Sequence, residues 1–239
     1  MDFEFFCDTL SQLLGALPVT IELFVASVSL GAVLALCLTW MRLSGISYLE
    51  KFSKGYVFVF RGTPLLIQLF LIYYGIGQFS VVRESLLWPV LRDPFACAVL
   101  TLALCTAGYS AEIFRGGVLA IPSSQMEAAR ALGMSRWLLF RRVILPVALR
   151  QLLPAYSTEI ILMMKSTSLA SLVTVMEMTG VAQRIIASTY RTTEVFLCAA
   201  AIYLVLNFFI VRALSAFEYC LTPYRRPMRQ RTSPKESAV

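Results

Sequence analysis

Residues 124–146 read SQMEAARALGMSRWLLFRRVILP, and this stretch decides how the rest of the chain is interpreted. Ser124 and Glu127 have the S-x-x-E spacing of a capping box, which predicts a helix start. Gly133 predicts the end of that helix after about two turns, and Ser135 predicts the cap of a second short helix. The stretch is rich in arginine and has too few consecutive apolar residues to cross a bilayer. We therefore expect a polar helical hairpin at a membrane surface.

The rest of the chain has the composition of a membrane protein. Of its 239 residues, 58% are hydrophobic, and the mean hydropathy is +0.73. Apolar runs approach the roughly 20 residues that a helix needs to cross about 30 Å of hydrocarbon. We expect five spans, of which the fourth is interrupted by prolines and charges. They cover residues 23–41, 62–82, 94–111, 143–166 and 195–211.

The distribution of basic residues predicts the orientation of these spans. Fourteen Lys and Arg residues lie in the segments 42–54, 112–142 and 212–239, against four in the alternate segments. Because basic loops stay on the cytoplasmic side, the N-terminus is expected outside and the C-terminus in the cytoplasm. The net charge of +7 is explained by this bias, so no nucleic-acid partner is expected.

The hairpin also has a specific spacing, and from here we call residues 122–146 the elbow. It resembles the EAA loop of permease subunits in ATP-binding-cassette (ABC) importers, the element that docks onto the ATPase subunit. The residues expected to couple to that ATPase are Glu127, Ala128, Ala129, Gly133, Arg136, Leu145 and Pro146.

Further motifs resemble the polar-amino-acid permease family of bacterial ABC importers. They are FRGTPL from Phe60, AEIFRGG from Ala111, PAYS from Pro154 with Glu159, and KSTSL from Lys165. The resemblance implies an all-α integral membrane fold with five transmembrane helices, the type I ABC importer permease fold. It also implies amino-acid import across the bacterial inner (plasma) membrane, with basic amino acids or opines as expected substrates.

The same resemblance implies domains and partners. We expect a periplasmic segment at 1–15, a permease domain at 16–216 that includes the elbow, and a basic cytoplasmic tail at 217–239. The expected partners are a pair of ATP-binding subunits, a second permease subunit (identical or related), a periplasmic solute-binding protein, the amino-acid substrate and the bilayer. No cofactor is expected on this chain, because ATP and Mg²⁺ would bind the partner ATPase.

The fourth span contains the polar residues that we expect along the solute pathway. A charge inside a bilayer is costly, so such residues usually face a bundle interior or water. Glu159 suits a cationic group, whereas Lys165 or a helix N-terminus suits a carboxylate. Glu159 could equally pair with a neighbour to hold helices together, and Arg61 could equally reach the inner headgroups. The full candidate set is Arg61, Thr63, Tyr156, Glu159, Met163, Lys165, Ser166 and Thr167.

Small residues along the first span predict a close helix contact. Ser27, Gly31 and Ala35 recur at steps of four and so share one helix face. Such a stripe allows another helix backbone to approach.

Other classes of protein fit less well. The chain has no histidine, no phosphate-binding glycine-rich loop and no nucleophile–base set, which argues against an ATPase or another membrane enzyme. An ion-coupled secondary transporter would favour internal repeats or paired intramembrane carboxylates, which the sequence does not show. A permease for another polar solute, such as methionine, or an exporter remains the alternative within ABC transport.

Overall fold

The computed structural model describes residues 3–86 and 88–221, and within them the chain is helical and contains no strand. Of the predicted basic tail, residues 222–239 lie outside this part of the chain. The α-helices, in order, are α1 (Phe3–Gly15), α2 (Leu17–Leu43), α3 (Ser47–Gly62), α4 (Leu65–Phe70), α5 (Ser80–Arg83), α6 (Trp88–Leu91), α7 (Pro94–Leu119), α8 (Ser123–Ala131), α9 (Arg136–Leu139), α10 (Leu145–Ser166), α11 (Met178–Thr189) and α12 (Thr192–Leu221).

Tighter and wider turns extend some of these helices. A π-helical turn (Leu71–Gly75) and a 3-10 turn (Ile76–Gln78) continue α4. A second π-helical turn (Phe140–Ile144) joins α9 to α10, and a 3-10 segment (Thr167–Val173) follows α10. The elbow therefore runs without a break into the helix that carries Glu159.

Helix α7 is the centre of the bundle, because α2, α3, α4 and α10 all pack against it. The α2–α7 contact confirms the prediction from the small-residue stripe, since Ser27, Gly31 and Ala35 are all buried. A Cβ placed on Gly31 would lie 2.2 Å from the Thr106 methyl carbon and 3.2 Å from the Ala103 carbonyl oxygen of α7. Glycine at this position is therefore a steric requirement of the close approach.

The second hydrophobic segment, 62–82, is one half of a bent pair. Helix α3 and the α4 segment form a bent pair, with an angle of 104° between them. The helical region is disfavoured for the residue before a proline, and Thr63 before Pro64 has the extended φ of −109° and ψ of 142°. The apolar run identified the second half of this pair but gave no sign of the bend.

The helices include several that are long and apolar enough to cross a membrane, as the sequence predicted. Three stretches are long and apolar enough to cross a membrane: Phe3–Leu43, Pro94–Leu119 and Thr192–Leu221. Two bent pairs bring the total to as many as five in the part of the chain described, Ser47–Gly62 with Leu65–Gln78 and Arg136–Val173 with Met178–Thr189. Five spans, with the N-terminus outside, stay a prediction.

Prolines in the fourth span do not interrupt it, contrary to expectation. Pro146 lies in the first turn of α10, directly after the wider π-helical turn, and the helix continues through it. Pro154 lies inside α10, which continues to Ser166.

Candidate functional site

The elbow contains one feature that the sequence predicted wrongly. Helix α8 begins at Ser123 with Pro122 at the N-cap, and no side chain caps it. Ser124 is already inside the helix, so its hydroxyl cannot serve the capping box predicted with Glu127. Proline fixes a φ of −60° at the cap, and the Pro122 carbonyl accepts the first bond from Gln125 N–H at 3.1 Å.

The turn of the elbow matches its prediction. Gly133 has a φ of +74°, which glycine adopts without the steric cost that a Cβ would impose. Met134 N–H reaches back to the Ala129 carbonyl at 3.2 Å, which closes the end of α8. Ser135 Oγ accepts from Leu138 N–H at 3.4 Å and caps α9 as expected.

Apolar side chains project from this basic hairpin. Leu132 is 78% exposed and Trp137 is 69% exposed, whereas Ala129 is buried against the rest of the chain. Large apolar side chains exposed among arginines are typical of a surface that another protein covers. Glu127, Ala128 and Arg136 are exposed on the same hairpin.

A cavity of about 540 Å³ lies between the bend after α3 and the middle of α10. Its walls bring together five of the predicted pathway residues with several that the sequence did not single out. The predicted ones are Arg61, Thr63, Glu159, Met163 and Ser166, and the others are Gly62, Pro64, Leu65, Cys105, Tyr109 and Leu162.

Arg61 lies deep along the bundle. Helix α3 has 16 residues and therefore rises about 24 Å from the turn that follows α2. The Arg61 guanidinium carbon sits 5.2 Å from the centre of the Tyr109 ring, near the midpoint of α7. A cation over an aromatic face is stabilised by the ring quadrupole. This position places Arg61 in the wall of the cavity, far along α3 from its start.

Glu159 forms the opposite wall. It is 9% exposed, and its Oε1 accepts a hydrogen bond from the Thr106 hydroxyl at 2.9 Å. Arg61 is close enough to interact electrostatically with this carboxylate. The cavity thus has one positive and one negative group, each with a single neighbour that orients it.

Three of the candidate pathway residues lie outside this cavity. Lys165 is exposed, because six residues after Glu159 correspond to about 240° around a helix and place it on another face. Tyr156 packs edge-on against Phe114, 5.0 Å between ring centres, and lines a different groove. Thr167 is fully buried, and its hydroxyl donates to the Met164 carbonyl at 2.7 Å.

Sequence reasoning missed a second buried carboxylate, Glu177, which is 0% exposed. Its Oε1 accepts from Gly180 N–H at 2.9 Å and caps α11, while its Oε2 accepts from the Tyr203 hydroxyl at 2.9 Å. An acidic residue followed three positions later by a glycine in an apolar segment is the available signal for such a cap.

Comparisons with known proteins agree with this architecture. Residues 16–219 match the family model of the binding-protein-dependent transport system inner membrane component. The octopine transport system permease protein OccM of Rhizobium radiobacter is 52% identical over 233 residues, covering 98% of this chain and 95% of the relative. The nopaline transport system permease protein NocM of Agrobacterium fabrum is 46% identical over 236 residues, covering 98% of each.

A solved structure shares the fold. A chain from the crystal structure of an amino acid ABC transporter with histidines has a TM-score of 0.81 and 34% identity, over 92% of this chain and 99% of that one. Together these matches set aside the ion-coupled transporter and membrane-enzyme alternatives.

Proposed function

This chain belongs to the family of binding-protein-dependent transport system inner membrane components, as a permease subunit of an ABC importer for amino acids or opines, and on that premise we propose that the Arg61–Glu159 cavity carries a cationic amino acid or an opine. The observation that carries the proposal is the placement of opposite charges on facing walls of one cavity. A substrate with a guanidinium at one end and a carboxylate at the other meets both.

The chemistry of the two walls fits such a substrate. A carboxylate binds a guanidinium through charge-assisted hydrogen bonds, and an arginine binds a carboxylate in the same way. Octopine and nopaline, which appear in the names of two relatives, are derivatives of arginine that carry one guanidinium and additional carboxylates. Glu159 therefore receives the guanidinium, and Arg61 receives the carboxylate end. The volume of about 540 Å³ lies within the ~300–1,000 Å³ of ordinary ligand sites.

The elbow is proposed to dock onto a separate ATP-binding subunit, which hydrolyses the ATP. Support comes from the exposed Leu132 and Trp137 beside Glu127, Ala128 and Arg136. The elbow continues through a π-helical turn into α10, so a displacement of the elbow is passed to the helix that carries Glu159. The working complex would contain two permease subunits, two ATP-binding subunits and a periplasmic solute-binding protein.

The elbow can be tested at its turn. Replacing Gly133 with valine places a β-branched side chain at a φ of +74°, which costs about 1–2 kcal/mol of local strain. We expect ATP hydrolysis by the assembled complex to become independent of uptake. The measurement is the rate of ATP hydrolysis and the rate of uptake in the same vesicles. The matched control is Gly116→Val, a position where an added Cβ meets nothing within 4 Å. Normal coupled uptake in the Gly133 variant would contradict the docking role.

The proposed topology has five spans with a periplasmic N-terminus and a cytoplasmic elbow and C-terminus. The excess of basic residues in alternate segments supports it. Residues 1–15, 16–216 and 217–239 are proposed as the periplasmic segment, the permease domain and the cytoplasmic tail.

The substrate assignment is tested by Glu159→Gln in the complete complex. The amide keeps an acceptor for the Thr106 hydroxyl but loses the charge, so assembly and basal ATP hydrolysis stay intact. Because a charge-assisted hydrogen bond is lost, we expect uptake of labelled arginine or octopine to fall about tenfold or more. Uptake of an amino acid with an uncharged side chain should change little. Glu22→Gln, an exposed position on α2, is the control. Equal uptake of cationic substrates by both variants would overturn the proposal.

A further inference from the structure

A second large cavity, which we call the apolar groove, opens on the surface of the bundle with a volume of about 580 Å³. It lies between the C-terminal half of α2, the last turns of α7 and the first turns of α10. Representative lining residues are Ala32, Leu36, Trp40, Phe114, Leu149 and Phe217. Leu36 is 60% exposed and Trp40 is 66% exposed, so the groove is open along α2.

The groove faces away from the charged cavity. Cys105 and Tyr109 of α7 line the charged cavity, whereas Phe114 and Val118 of the same helix line the groove. At about 100° per residue, the second pair points roughly 180° away from the first. If the charged cavity faces a pathway shared with the second permease subunit, as the proposed function requires, the groove faces the surrounding bilayer.

The groove offers almost no polar group to an occupant. The Thr39 hydroxyl already donates to the Ala35 carbonyl at 2.7 Å, and the Ser44 hydroxyl donates to the Met41 carbonyl at 2.9 Å. Besides these two residues, the hydroxyl-bearing side chain in the lining is Tyr156, so the groove holds water poorly and apolar matter fills it more favourably. The occupant is therefore a flexible hydrocarbon and not the transported solute.

A basic residue lies beside the groove. Arg141 and Arg142 are exposed and lie between the groove residues Phe140 and Ile144 on one π-helical turn. At about 100° per residue, Arg141 lies on the flank of the groove face, whereas Arg142 points away from it. Arginine side chains at the end of a membrane helix reach the headgroup layer and attract anionic lipids. The charge at the mouth thus complements a phospholipid with a negative headgroup.

We propose that the apolar groove binds one acyl chain of an anionic phospholipid, whose headgroup is held by Arg141. The lipid contacts α2 on one side and the start of α10 on the other. Phe140, Ile144 and Leu145 belong to both the elbow and the groove. The bound acyl chain therefore also packs against the second half of the elbow.

The test uses the complete complex in vesicles of phosphatidylethanolamine and phosphatidylglycerol. The probe is phosphatidylglycerol with a photoreactive diazirine near the end of one acyl chain, and labelled peptides are mapped by mass spectrometry. We expect labels on the groove segments of α2 and α10. Ala32→Trp fills the groove, and since each methylene removed from apolar surroundings weakens binding several-fold, groove labelling should fall about tenfold. Val33→Trp, 58% exposed on the same helix, should leave it within about twofold.

Two further arms distinguish the alternatives. Arg141→Ser should abolish the preference for phosphatidylglycerol over a phosphatidylcholine probe, whereas Arg142→Ser, on the far face of the same turn, should keep it. Leu149→Trp fills the groove from α10 and replaces Ala32→Trp if that variant fails to assemble.

Labelling of the exposed Leu204 and Phe208 of α12 as heavily as the groove, with no response to either tryptophan, would reduce the site to general lipid contact and overturn the proposal. Crosslinks from the groove to the second permease subunit would also overturn it. Labelling does not depend on uptake, so this test can fail while the proposed function stands.

Discussion

Glu159 and Glu177 are both carboxylates buried among apolar helices, yet their surroundings differ. Glu159 has one hydrogen-bond partner, the Thr106 hydroxyl, and its remaining surface faces a cavity. Glu177 has a partner on each oxygen, the Gly180 amide and the Tyr203 hydroxyl, and no exposure. Burying a carboxylate is costly unless its oxygens are bonded. A carboxylate with both oxygens occupied stabilises the fold, whereas one with open capacity is available to a ligand.

The neighbourhood of Glu177 confirms this contrast. It lies at the start of α11, where Met178 N–H also donates to the Thr20 hydroxyl at 3.1 Å. Leu13, Met178 and Val195 form a fully buried cluster around it, from α1, α11 and α12. Glu177 thus joins the start of α11 to α12 at the end of the bundle opposite to the elbow.

The largest expected effect comes from Glu177→Ala. It removes the cap of α11 and leaves the buried Gly180 amide and Tyr203 hydroxyl without their acceptor, at a cost of about 2–4 kcal/mol in unfolding free energy. Thermal unfolding of the purified complex measures the loss, and uptake per folded complex should stay normal. Glu22→Ala on the surface of α2 is the control and should unfold as the wild type does. A large uptake defect without lost stability would make Glu177 a functional residue and break the comparison.

The next largest effect is expected for Gly31→Ala, which acts on Glu159 through Thr106. The new Cβ would lie 2.2 Å from the Thr106 methyl carbon, and any rotation of Thr106 to escape it breaks the bond to Glu159. We expect a loss of about 1–3 kcal/mol in stability together with weakened uptake of cationic substrates.

The Gly31 variant has a specific rescue. Adding Thr106→Ser removes the clashing methyl group but keeps the hydroxyl that orients Glu159, so the double variant should recover uptake. Gly55→Ala, where an added Cβ meets nothing within 4 Å, should be silent. Failure of the serine to restore uptake would show that the contact of the new Cβ with the Ala103 carbonyl, and not the loss of the Thr106 bond, causes the defect.

The smallest effect is expected for Tyr203→Phe. It removes one of the two bonds to Glu177 and should cost about 1 kcal/mol in unfolding free energy, with uptake unchanged. Tyr190→Phe, at a tyrosine that is 89% exposed, provides the matched control. If Tyr203→Phe altered substrate preference, the distinction between the two carboxylates would need revision.

Local features of this fold were predictable from the sequence because they depend on neighbouring residues. The φ of Gly133, the Ser135 cap and the small-residue face around Gly31 follow from spacings of four residues or fewer. The Ser124 cap was wrong by two positions, because Pro122 takes the N-cap and Ser123 opens the helix.

The features that define the cavity depend on contacts that spacing cannot reveal. Thr106 and Glu159 are 53 positions apart, and Arg61 meets Tyr109 only because α3 packs against α7. Hydropathy detects the apolar run after the bend but carries no information on its angle. Glu177 was overlooked for the same reason, since Tyr203, its partner, lies 26 positions later on α12.

The bend at Thr63 has a mechanical consequence. Gln68 Nε2 lies within 3.0 Å of the Phe60 carbonyl, the Thr63 carbonyl and the Thr63 hydroxyl oxygen, so this one amide braces both arms of the bend. A corner cross-linked in this way resists opening, unlike a glycine hinge. Any force that reaches the bend from the cytoplasmic side would therefore move Arg61 together with the rest of the bend as one rigid unit. The cavity would then change by sliding of its walls past one another and not by flexing of one wall.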